Sequence, residues 1–227
     1  MVPFSVDEFF GVFTAYNTAV WPAQAVLLVA ALASLHAAVQ RPRRAGVIVG
    51  MLLAGLWIWM GAVYHIGFFT AINPAAYAFG VLFVAQGALF AWAALGGRLS
   101  FSPRHDGSGV LGTAFIGYAL ILYPVLGVLG GHAYPAAPTF GAPCPTTIFT
   151  FGLLLWADRP LPLRLLVVPF AWVLVGGSAF WIFGVVEDAV LPLAGILGTI
   201  MIIRRNGRLS AADRRAPSFH SPGAHPR

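Results

Sequence analysis

The chain has a single cysteine, Cys144, set between Pro143 and Pro145 and followed by Thr146 and Thr147. A proline suits the first turn of a helix, so this thiol is expected near a helix N-terminus, where the dipole favours a thiolate. Two functional readings follow, a thiolate ligand or a redox thiol, beside the structural one of a small buried cysteine in a helix cap. His132 lies upstream in Gly131-His132-Ala133-Tyr134-Pro135, with eleven residues between it and Cys144. His65 closes one apolar run after Tyr64, and Glu187-Asp188 separates two others. Imidazole, thiolate and carboxylate groups together suit Zn or Cu, with His132 and Cys144 the expected metal pair. The spacing matches no known metal motif, and each group could equally bond a backbone carbonyl or amide.

Asn73 completes the expected ligand-binding set of His65, Asn73, His132, Cys144 and Glu187. Asp188 is expected to cap the helix that follows it, so Glu187 ranks above it. Asn73-Pro74-Ala75 resembles the aquaporin tripeptide, but it occurs once, and Asn as N-cap with Pro at the first helical position accounts for it. Nothing in the sequence identifies a cofactor. With no nucleotide-binding loop, ATP-driven transport by this chain alone is not expected.

These residues sit between segments that only a lipid bilayer can solvate. Of 227 residues 59% are hydrophobic and 9% charged, against about 25% charged in a soluble domain. The apolar runs predict about seven spans in an all-α bundle: 20–39, 45–64, 75–95, 110–129, 145–156, 163–183 and 188–203. The fifth falls short of the roughly twenty residues a crossing needs. It must borrow from its flanks or start inside the protein. A bent hairpin is the alternative to separate sixth and seventh spans.

Every basic residue is Arg, and the arginines fall in alternate loops. Arg41, Arg43, Arg44, Arg98, Arg104, Arg159 and Arg164 precede an Arg-rich tail from Arg204, whereas 65–74, 130–144 and 184–187 hold none. Seven spans put all of them on one side, which the positive-inside rule makes cytoplasmic, with the N-terminus outside. Nucleic acid is not an expected partner, since the charge forms no basic surface. The bilayer is, with a small ligand or metal ion at the outer face. Residues 1–19 read as an amphipathic segment opened by a Ser5–Glu8 capping box, 20–203 as the membrane domain, and 204–227 as a disordered tail that is solvated or touches anionic lipid. His36 belongs to the cytoplasmic end, and His105, His220 and His225 to solvated segments.

The segments Tyr16-Asn17, WIWMGAVYH (57–65), INPAA (72–76), GHAYP (131–135), PTFGAPCPTT (138–147) and Glu187-Asp188 together resemble an uncharacterised family of bacterial multi-pass membrane proteins, a domain of unknown function. The likeness covers about residues 4–200, and GHxYP with PCPTT is its most specific part. It implies the helical membrane fold and an outer face that matters; the expected location is the bacterial inner membrane. It implies no established activity, although some members carry a permease label. Two expectations follow. One is a small-ligand or metal-handling permease or binding protein with an outer-face site. The other is a membrane-embedded enzyme or thiol redox protein using Cys144 and His132.

Overall fold

The structure is a computed structural model describing residues 3–215, with side chains to 211. The described chain is all helical. Six helices are long and apolar enough to cross a membrane: Ala23–Gln40, Ala45–Ala71, Ala76–Leu95, Gly107–Leu129, Leu163–Phe183 and Val186–Ala211. In helical elements, these are α2 (Ala23–Gln40), α3 (Ala45–Trp59), α4 (Ala76–Leu95), α5 (Gly107–Gly117) with α6 (Tyr123–Leu129), α8 (Val167–Gly176) with α9 (Ser178–Phe183), and α10 (Val190–Arg215). α1 (Val6–Val20) precedes them, opened by the expected capping box. The Ser5 hydrogen bonds hold the Glu8 carboxyl below its usual range. Gly184, at φ +70°, ends α9 in a left-handed turn and makes the last two long helices separate.

The fifth predicted span is α7 (Pro143–Leu155), thirteen residues long. At 1.5 Å per residue it covers only about 20 Å, short of the roughly 30 Å apolar layer. It starts inside the protein. All its residues except Cys144 are fully buried, between α5 and α10, with Trp57 of α3 donating to Thr150 Oγ1 at 3.1 Å.

The bundle is inverted relative to a soluble protein. Val26, Val29, Leu32, Val81, Val110 and Leu174 are exposed, while Asn17, His65, Gln86, Glu187 and Asp188 are buried. That is the partition lipid selects, because lipid tails are as apolar as Leu and polar groups must find partners inside. Close crossings use glycine. A Cβ at Gly152 would stand 2.8 Å from the Gly112 carbonyl oxygen, so α5 and α7 touch backbone to backbone.

The arginines gather at one end. Arg41 bonds Ser102, Ser102 N–H donates to the Trp156 carbonyl, and Arg98 and Arg164 both cover the Trp92 ring. At that end Asp106 caps α5 through the Gly109 amide. Arg104 and that amide hold its carboxyl below the usual range. One expectation needs correction. The segment from Arg204, read as disordered for want of an apolar face, continues α10 as far as Arg215. Arg205 and Asn206 explain why: they anchor the helix to the carbonyls of Leu154, Leu155 and Leu161. The rest of that tail, with His220 and His225, lies outside the described residues.

Gly152→Val should therefore cost about 1–3 kcal/mol by overpacking. Gly11→Ala, where a Cβ meets nothing within 4 Å, should be neutral or gain about 0.5–1 kcal/mol. Thermal unfolding of the two variants in detergent checks both, and equal melting temperatures would contradict the α5–α7 packing.

Candidate functional site

At the end opposite the arginines, residues 130–142 form an irregular segment that folds back onto the bundle. Carbonyls at that depth need donors, since lipid supplies none. Asn17 is fully buried and supplies them. Its Nδ2 donates to the Pro135 carbonyl at 2.6 Å and the Ala137 carbonyl at 2.7 Å. Its Oδ1 accepts from Thr139 Oγ1 at 2.7 Å, and its own carbonyl accepts from Gln24 and Tyr134. Gly141, at φ +98°, turns the chain into α7, its N–H donating to Thr146 Oγ1. A Cβ there would strike Leu27.

Between this segment, α1 and α8–α9 lies a cavity of about 110 Å³. Phe9, Phe13, Tyr64, Phe69, Trp172 and Phe183 give it an aromatic wall. Phe9 stacks on Phe183 with ring centroids 4.4 Å apart, and Phe13 on Tyr64 at 5.5 Å. Cys144 and Asp188 also line it, and Asp188 is its sole charged residue among those described. Asp188 is 2% exposed and its Oδ1 accepts a 2.6 Å hydrogen bond from the Tyr123 hydroxyl. Cys144, Trp172 and Asp188 all face the same cavity. Asp188 sits in the first turn of the last long helix, Val186–Ala211, and also lines the cavity.

The residues expected to share one site divide into two neighbouring groups and an outlier. Cys144 pairs with Asp188. His132 pairs with Glu187, Nδ1 to Oε1 at 3.8 Å, and its ring stacks on Phe10. Glu187 is fully buried and neither carboxylate oxygen has a hydrogen-bond partner among the described residues. Gly127 makes room for it, since a Cβ there would come within 3.1 Å of Oε1. Tyr118 donates to the Glu187 carbonyl at 2.8 Å. His65 is the outlier. It is fully buried behind the cavity wall with both ring nitrogens unpartnered among the described residues, edge-on to Trp172 at 5.0 Å and Phe83 at 4.6 Å. Asn73 lines the cavity mouth, and its Oδ1 accepts from the Ala75 N–H at 3.0 Å. No three His, Cys, Asp or Glu side chains among the described residues are placed to hold a metal ion.

Sequence reasoning passed over Tyr123, Trp172 and Tyr64 as site residues. The available signal for Tyr123 was the Tyr-Pro pair inside an otherwise apolar span. Pro124 removes an amide from the helix, and the turn before it, Tyr118–Leu122, is a π-helical bulge of the kind that often marks function. A second such bulge, Met60–Ile66, carries Tyr64 and His65.

The chain belongs to a family of unknown function (DUF6064), whose model matches residues 6–213. Neither the curated proteins nor the solved structures contain a match to it. Several segments singled out in the sequence meet in this site: Tyr16-Asn17 against 134–141, and Cys144 near Asp188.

Asn17→Ala should leave the Pro135 and Ala137 carbonyls without donors, at a cost of about 1–3 kcal/mol. Limited proteolysis in native membranes should then cut within 133–140 faster than in the parent. Unchanged cleavage would show that something else holds the segment.

Proposed function

We propose that the chain is a permease-type binding protein of the bacterial inner membrane that takes a small organic cation at its outer face. The observation that carries this reading is an aromatic-walled cavity whose sole charged lining residue, among those described, is the buried Asp188. An ionisable group at membrane depth is costly and belongs to a partner or a pathway. Aromatic faces attract cations through their quadrupole, by about 0.5–2 kcal/mol each depending on desolvation. An alkylammonium group answers both features, the rings around its methyl or methylene surface and Asp188 balancing its charge. Tyr123 fixes one oxygen of that carboxyl, so the acid is pre-oriented before a ligand arrives. On the opposite side, α7 is packed solid from Pro145 to Leu155. In a permease this is the outward-facing state.

The one-sided arginines support an outward cavity and a cytoplasmic α10 end. A second reading, thiol chemistry, rests on Cys144 and Asp188 lining one cavity, where the carboxyl can accept a hydrogen bond from the thiol. His132, the partner expected from sequence, faces Glu187 instead.

Tetramethylammonium should bind the purified protein, and tert-butanol of similar size should not, by isothermal titration calorimetry. Asp188→Asn should weaken tetramethylammonium at least about tenfold, equivalent to roughly 1.4 kcal/mol, while Cys144→Ser should leave it unchanged. Equal binding of the neutral probe would overturn the cation reading; a thiol-dependent activity lost in Cys144→Ser would establish the second. For orientation, a reporter active only in the cytoplasm should signal when fused after Arg208 and stay silent within 133–140. The reverse pattern would invert the topology.

A further inference from the structure

The Arg-rich end holds a second pocket, of about 220 Å³, between the start of α5 and α10. Arg104, Ser108, Arg204, Arg205 and Arg208 line it with a single acid among the described residues, Asp106. Asp106 is already engaged, by the Arg104 guanidinium at 2.6 Å and the Gly109 amide at 3.0 Å. Arg205 is the unusual member. It is only 6% exposed, and its Nη1 donates to the Leu154 and Leu155 carbonyls at 3.2 and 3.1 Å. Its Nε and Nη2 are buried with no partner among the described residues. Asp158 lies near enough to act on this charge without a hydrogen bond to it.

A buried guanidinium with two unmet donors is expensive unless an anion answers it. A carboxylate from the protein would do, but among the described residues Asp106 is held by Arg104 and Gly109, and Asp158, its own Oδ1 unpartnered, makes no ion pair with Arg205. The N-terminus of α5 adds its positive end to the same wall. The guanidinium fork matches a phosphate, whose oxygens can take two parallel donors at once. The pocket also lies where long apolar helices end, at headgroup depth.

We infer that this pocket binds a phosphate group through Arg205 and Arg208, carried by an anionic lipid headgroup or by free phosphate. It lies at the opposite end from the cavity and does not depend on what the cavity binds.

The test uses the full chain in nanodiscs of phosphatidylcholine, to which phosphatidylglycerol or inorganic phosphate is added against chloride of equal ionic strength. Ligand binding to the folded state alone should raise Tm by roughly 5 °C. A rise with phosphatidylglycerol only identifies the lipid, and a rise with both identifies a general phosphate site. Arg208→Gln should abolish the shift. Arg205→Lys, which keeps the charge but not the fork, should reduce it several-fold. Arg208 is exposed and free of packing duties, so its variant decides the matter if Arg205→Lys fails to fold. No shift with either additive, or an equal shift in Arg208→Gln, would overturn the site.

Discussion

A helix of thirteen residues buried in the centre of a membrane bundle sets the terms for the rest of this structure. Its ends fall inside protein, where the orphan amides and carbonyls of a helix terminus cannot reach water. At the N-terminal end Pro143 and Pro145 have no N–H to satisfy, and Thr146 returns its amide to Ala142. At the C-terminal end Arg205 reaches in from α10 to the last carbonyls. The Pro-Cys-Pro sequence is thus a physical solution to starting a helix in an apolar interior, and Cys144 sits in it as a small side chain that fits.

Shortening α7 leaves the segment before it to cross the outer half of the bundle without helical hydrogen bonds. Asn17 takes over that task with four polar contacts to three residues of the segment and to Gln24. The cavity is a consequence. An irregular chain held to α1 by one side chain leaves space that a seventh full helix would fill. The two π-helical bulges, at Met60–Ile66 and Tyr118–Leu122, shift the register of flanking helices and bring Tyr64, Tyr118 and Tyr123 into this region.

Much of the fold could be read from the sequence because lipid imposes long apolar runs and a one-sided placing of arginine. The shortness of α7 was legible too, since 145–156 could not cross. The helical continuation to Arg215 was not, because an amphipathic face is the usual signal and here the anchors are two polar side chains, Arg205 and Asn206, capping distant carbonyls. Within the site, residue types pointed to the right face, but pairings are set by helix rotation. A one-position difference decides whether Glu187 or Asp188 faces Cys144, and no periodicity in a short turn such as Val186–Ala189 encodes that choice. Tyr123 and Trp172 were hidden because an aromatic residue in a membrane span is ordinarily packing or interface anchoring.

The buried charges follow the same helix. Asp188 lies beside Cys144 at the positive end of α7, and Arg205 lies at its negative end. Each has the sign that the aligned peptide dipoles favour, in surroundings too dry to screen it. α7 therefore offsets part of the cost of burying a charge at either end. An acid and a guanidinium in such surroundings are costly to hold empty-handed, and each lines a pocket of its own at one end of the helix. A substitution that moved α7 along its axis would disturb both ends together, because the close approach of Gly152 to Gly112 fixes the position of the whole helix.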